Sequence, residues 1–161
     1  MVAPRQCPCH SGQQYEECCA PFHKKTQEPP TPEKMMRSRY SAFALKLVPY
    51  LYDTFHSTHE DRKLPRNEVL RGLRDAAEGF RYMGLQILDT RTDEANGIAW
   101  VLFNARLFER GQNRSFVELS TFKKEDGGWR YSDGVTVPLS LVKDTVDTLT
   151  IDTFPKKKGA A

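Results

Sequence analysis

The sequence predicts an α+β protein with a small metal knuckle at its front, and three observations carry that expectation. All four cysteines lie between positions 7 and 19. Apolar residues recur at helical spacing from about position 32 to 79, then alternate in runs separated by turn residues. Helices first and an antiparallel meander second is an α+β order.

Cys7-Pro8-Cys9 is followed by eight residues and then the vicinal pair Cys18-Cys19. Four thiolates close a tetrahedral Zn2+ shell at Zn–S distances of roughly 2.3 Å. The spacer suits that purpose. Ser11 and Gln14 read as a capping box, Gly12 loosens the turn, and a helical turn through Tyr15 and Glu16 returns the second pair toward the first. A complete shell has no place for water or substrate, so the zinc is expected to be structural. A stretch this short has almost no core and needs a cross-link. Two disulfides are the rival, but they persist mainly in oxidising compartments. The opening Met-Val-Ala-Pro-Arg-Gln lacks the apolar run of a secretory signal, which favours a cytoplasmic location. His10 and His23 each offer an alternative ligand and read as bystanders.

With 161 residues and 39 % hydrophobic content, the chain holds one ordinary core plus an appendage. A net charge of +3 is too slight to argue for nucleic acid. Lys156-Lys157-Lys158 is a basic run that reads as a solvated tail. No stretch approaches the ~20 apolar residues of a membrane span.

Pro29-Pro30-Thr31-Pro32 marks a boundary. It divides a knuckle over 1–28 from a main domain over 29–137, followed by a C-terminal extension over 138–161. Thr31 as N-cap with Pro32 behind it starts a helix to about Lys46, with Met36, Tyr40, Phe43 and Leu47 on one face. A short helix covers Tyr50 to Phe55, and Asn67 caps a third that stops near Gly79. Strands are expected at 80–92, 98–109, 115–123 and 129–137, with turns at Asn96-Gly97, Gly111-Gln112-Asn113 and Asp126-Gly127-Gly128. The last segment suits helix and strand equally.

Closing the second hairpin on Gln112 sets Phe108 opposite Phe116, Arg106 opposite Glu118, Asn104 opposite Ser120 and Leu102 opposite Phe122. A two-residue turn at Asp126-Gly127 sets Phe122 opposite Tyr131 and Ser120 opposite Asp133. Period two then gathers Trp100, Asn104, Arg106, Glu118, Trp129, Tyr131 and Asp133 on one surface. A face so mixed lines a semi-polar cavity or carries paired charges.

Several stretches resemble a known family. Cys-Pro-Cys-x-Ser-Gly-x-x-Tyr-x-x-Cys-Cys at 7–19 resembles the SEC-C motif, a zinc knuckle also found at the end of the SecA translocation ATPase. Met36-Arg37-Ser38-Arg39-Tyr40-Ser41-Ala42-Phe43, Tyr50-Leu51 with Thr54-Phe55-His56, and Gly84-Leu85-x-Ile87 resemble the YchJ-type bacterial proteins. So do Ala105-Arg106, Glu118-x-Ser120-x-Phe122 and Gly128-Trp129-x-Tyr131-x-Asp133-Gly134. The resemblance covers roughly residues 5–135. It implies a knuckle on a nuclear transport factor 2-like cone, three helices packed on a curved antiparallel sheet. His10 in place of a usual glycine, Phe55 in place of a frequent tryptophan, and a longer tail depart from that pattern. The resemblance also implies that the knuckle contacts another protein through Tyr15, Phe22 and the loop at 10–14. The face bearing Val101, Phe103, Val117 and Leu119 is then covered by the C-terminal segment or by a second copy in a homodimer.

Two functions follow from this organisation. In one, the chain is a zinc-stabilised binding or adaptor module, and its buried carboxylate is paired: Glu118 with Arg106 across the hairpin, or with Arg37 or Arg39 from the first long helix. In the other, which the resemblance to nuclear transport factor 2-like cones implies, the domain is an enzyme for a small hydrophobic molecule, of isomerase, dehydratase or hydrolase type. Glu118 or Asp133 is then the base, with Tyr40, Tyr131 or His56 as proton partner. Asn104, Arg106, Arg37, Arg39, Trp100 and Trp129 furnish the polar and structural lining. Contact with nucleic acid or the ribosome is a weaker expectation. No phosphate loop, nucleotide fingerprint or nucleophile motif is present.

Overall fold

The computed structural model describes residues 6–155, so the lysine run lies outside the described residues. Four α-helices come first: α1 Ala20–His23, α2 Pro32–Leu45, α3 Val48–Asp53 and α4 Arg66–Gly79. Thr31 caps α2 as its sequence implies, its side chain accepting from the Lys34 amide at 3.1 Å. Asn67 does not cap α4. Pro65 takes the cap position and, having no polar side-chain atom, offers no bond to the first turn.

The strands are β1 Arg81–Asp93, β2 Ile98–Glu109, β3 Gln112–Asn113, β4 Phe116–Glu125 and β5 Gly128–Pro138. They form one antiparallel sheet in the order β1-β2-β4-β5, with the short β3 paired to the end of β2. No helix among the described residues is long and apolar enough to cross a membrane.

The register of β2 on β4 differs from the expected one. Arg110 and Gly111 adopt left-handed φ of 52° and 81°, and this two-residue turn pairs Glu109 with Gln112. Phe103 therefore lies opposite Glu118 and Asn104 opposite Val117. The expected pairing is three residues off, and an odd slip exchanges the two faces of a strand. Val101, Phe103, Ala105 and Leu107 face the helices together with Phe122 and Trp129. Leu102 and Trp100 face the other way, as does the exposed Arg106. On β5 the expected Phe122–Tyr131 pair forms, but an irregularity follows, so Ser120 meets Gly134 and Asp133 meets Thr121.

Met35, Met36 and Tyr40 of α2 bury against the inner face. On the outer face, Leu102, Val117 and Leu119 are covered by Val142, Leu149, Ile151 and Phe154 of the C-terminal segment. That segment is neither long helix nor strand. It runs as two 3-10 turns, Leu139–Leu141 and Val146–Thr148. Its Ile151 amide donates to Asp89 of β1 at 2.8 Å. Of the residues expected beneath a cover, Val117 and Leu119 are there, while Val101 and Phe103 belong to the inner core.

Candidate functional site

The four cysteine sulfurs all lie within 4.8 Å of one another. Cys9 and Cys18 sulfurs are 3.6 Å apart, Cys18 and Cys19 sulfurs 4.0 Å. A tetrahedron with metal–sulfur bonds of roughly 2.3 Å has edges of about 3.8 Å, whereas a disulfide needs about 2.05 Å. The cysteines are free and their spacing fits an enclosed metal ion. Hydrogen bonds with Cys19 and Cys7 pull the Cys9 thiol down, and bonds with Cys7 and Cys9 push Cys19 up. A cluster that crowds four acidic groups on one point is chemically a cation site.

The loop that presents them is not a capping box. The Ser11 hydroxyl accepts from the Gln13 amide and lies 3.2 Å from the Cys18 sulfur, while the 3-10 turn Tyr15–Glu17 has no side-chain cap. His10 and His23 are not drawn into the cluster. His23 donates from Nε2 to the Ser38 carbonyl at 2.8 Å and receives the Tyr15 hydroxyl on Nδ1 at 2.7 Å. Burial lowers its pKa, so it serves as a neutral pin between knuckle and α2. Arg37 adds a second tie, from Nη1 to the Cys9 carbonyl at 3.0 Å. Phe22 adds a third by packing among Ala42, Tyr50 and Leu51. Tyr15 and Phe22, expected on an outward contact surface, are engaged within the molecule. Nothing in the sequence pattern marked His23 for this task.

Between α2, α4 and the inner sheet face lies a cavity of about 340 Å³. Phe43, Leu73, Phe103, Phe116 and Phe122 give it apolar walls, and Arg39, Glu118, Ser120 and Tyr131 give it one polar wall. Glu118 is buried, and its Oε2 accepts from Ser120 at 2.6 Å and from Tyr131 at 2.7 Å. Burial raises its pKa, offset in part by those two bonds. Gly134 makes the arrangement possible, because a Cβ there would collide with the Glu118 carboxyl and the Tyr131 hydroxyl. Tyr131 is held by the chain after α3: its amide donates to Thr54 and its carbonyl accepts from His56.

The predicted residues divide sharply. Glu118, Tyr131, Tyr40 and Arg39 line the cavity. No salt bridge joins Glu118 to an arginine among the described residues. Arg106 cannot reach it from the opposite face, and Arg37 is taken by Glu33 and the knuckle. Arg39 instead binds the Leu51 carbonyl and Thr54 hydroxyl. Asp133 is exposed and bonded by Ser132, a consequence of the β5 irregularity. His56 sits beside Thr58 and Glu125, away from the cavity. Tyr40 is occupied by both backbone groups of Gly84. Asn104 and Trp100 lie under the C-terminal segment, and Trp129 is a core residue with Lys124 over its ring. His59, which the sequence reading missed, lines the cavity and stacks on Phe55 at 3.9 Å.

Fold and cysteine cluster together define a SEC-C protein with an NTF2-like domain. The SEC-C motif matches residues 6–21, and the family described as "YchJ, middle NTF2-like domain" matches residues 31–134. The chain belongs to the YchJ family. It is 36% identical over 128 residues to the UPF0225 protein YchJ of Shigella dysenteriae, covering 80% of this chain and 81% of that one. The solution structure of a SEC-C motif containing protein from Rhodopseudomonas palustris is similar at 33% identity and TM-score 0.71, over 81% of this chain and 98% of that one. A SEC-C motif containing protein from Psychrobacter arcticus shares the fold at 23% identity and TM-score 0.67, over 82% of this chain and 81% of that one.

Proposed function

We propose that this chain is a zinc-stabilised binding protein whose NTF2-like domain holds a small, largely apolar molecule. One observation carries the reading: a void of about 340 Å³ is left beside a buried carboxyl group that has no arginine partner among the described residues. Protein interiors pack to near crystal density, so a void of this size with one polar wall has the character of a ligand pocket. In the same reading Cys7, Cys9, Cys18 and Cys19 hold Zn2+ in a closed shell. The ion supplies the cross-link that a segment without a core requires. The ties from the knuckle to Arg37, Ser38 and Phe22 support its part as a brace for α2, the helix that lines the cavity. A protein partner would find the loop at 10–14 still exposed along most of its length.

Two measurements test the reading. Purified protein should carry one equivalent of zinc, and the Cys18→Ser, Cys19→Ser double variant should lose it. Unchanged metal content in that variant rules out the four-sulfur shell. The neutral dye N-phenyl-1-naphthylamine should brighten on entering the cavity, and Ala105→Phe, which fills the space, should abolish the signal while the circular dichroism is retained. Absence of dye binding to the wild type would reject the pocket.

A further inference from the structure

We propose that the molecule held in this cavity is a small carboxylic acid with an aromatic or otherwise apolar body, its carboxylate received by Arg39 with Glu118 beside it as a hydrogen-bond donor. The inference rests on the reading of the cavity as a ligand site. Arg39 is only 7% exposed, yet no carboxylate of the described residues pairs with it. Its Nη1 makes both of its protein bonds, to Leu51 and Thr54, so Nε and Nη2 are without partners among the described residues, on a side chain that lines the cavity. A guanidinium keeps its charge, and a buried cation with no carboxylate in direct contact is costly. A ligand carboxylate removes that cost and matches the planar fork.

An amine is the obvious competitor for a cavity with aromatic walls and a carboxyl group. The cation's place is already filled. The Arg39 guanidinium sits 5.1 Å from the Phe55 ring centre and 4.7 Å from that of Tyr131, which is where a ligand cation would be received.

Glu118 points the same way. Ser120 and Tyr131 both donate to Oε2, and Oε1 has no partner among the described residues. Burial raises the carboxyl pKa, and a carboxyl that keeps its proton donates to an incoming acceptor. His59 accepts the Asp61 amide on Nδ1, so its Nε2 carries hydrogen as well. The polar wall is therefore rich in donors and poor in acceptors. The titratable and charged groups around Glu118 are Arg39 from α2, Tyr131 and Asp133 from β5, and His59 from the segment before α4. Of these Arg39 favours the ionised carboxylate, Asp133 opposes it, and a bound anion opposes it further. Ligand and proton thus bind together.

Calorimetric titration with 2-naphthoate, 2-naphthamide and 2-naphthylmethylamine, in two buffers of different ionisation heat, tests this on the full chain. Naphthoate should bind roughly tenfold or more tightly than the amide, with the amine weakest. At pH above the Glu118 pKa of the free protein its binding should take up a proton, and its affinity should fall there by up to about tenfold per pH unit. Glu118→Gln, which keeps a donor without titrating, should remove the proton uptake and keep naphthoate affinity at high pH. Arg39→Lys should erase the preference over the amide, and because lysine keeps the charge this variant remains informative if Arg39→Met fails to fold. Equal or better binding of the amide or amine overturns the proposal, as does naphthoate binding that neither weakens nor takes up a proton as the pH is raised. If the neutral dye enters and naphthoate gains nothing over the amide, this inference fails alone. If neither dye nor naphthoate binds, the pocket reading beneath it fails too.

Discussion

The sheet face under α2 and the face under the C-terminal segment are built from the same strands, yet one keeps a void and the other is filled. Helices are stiff cylinders that touch a sheet along ridges, so space between α2 and α4 is left for something else. The C-terminal segment turns twice in short 3-10 steps and so drops Val142, Leu149, Ile151 and Phe154 onto the outer surface one by one. Polar residues follow the same division. Glu118 and Arg39 border the void, while Asn104 is sealed beneath the segment with its Oδ1 unpaired. A buried polar group at a void can still meet a partner from outside, whereas one under a lid cannot. What distinguishes the hollow face from the filled one here is the covering element more than the sheet.

The strongest way to break this comparison is to remove residues 139–161. Fully burying each large apolar side chain stabilises by about 1.5–3 kcal/mol. The truncated chain should therefore lose a large share of its stability, read as a fall in the urea midpoint, and should self-associate through the bared surface. An unchanged midpoint and a monomeric profile would mean that the segment covers nothing of consequence. Next in size is Gly134→Ala. It forces a methyl group against Glu118 and Tyr131, and should cost about 1–3 kcal/mol by thermal or chemical unfolding. Neutral behaviour would place the polar wall elsewhere.

A smaller effect sharpens the comparison through pH. Because burial raises the folded-state pKa of Glu118, the folded protein resists ionising it. Its contribution is intact below the unfolded carboxyl pKa and is lost as pH rises through the folded value. Glu118→Gln should therefore gain on the wild type in Tm as pH rises across that window, and a constant difference would refute it. The least change is expected from Asn104→Leu on the sealed face. Replacing an amide with an unpaired oxygen should gain about 1 kcal/mol or be neutral. A clear loss would mean that the bond from Asn104 Nδ2 to Gln86 Oε1, at 3.4 Å, outweighs the unpaired oxygen.

Helices and strands were legible because their signals are local. The Thr31 cap, the proline at 32 and the alternation along β2 and β4 each act within a few residues. The register was less legible. The turn that sets it places an arginine at left-handed φ, and Arg110-Gly111 lacks the asparagine or aspartate that usually announces such a turn. The neighbouring Gly111-Gln112-Asn113 looked at least as suitable. That error of three residues exchanged Arg106 for Phe103 opposite Glu118, and so turned an expected ion pair into an unpaired carboxyl group. The convergence of the four cysteines was legible, since four sulfurs in thirteen residues can reach one point in few ways, though the form of the loop that presents them was not. His23 and His59 act across distances that no local pattern encodes.

Arg37, Ser38, Arg39 and Tyr40 occupy little more than one turn of α2. The first two hold the knuckle, and the last two look into the cavity. A helix turns as a rigid piece, so rotation of that turn is felt at both ends at once. The small sulfur-bound unit at the front therefore acts as a set screw for the chamber behind it: loosen it, and the aim of the guanidinium drifts.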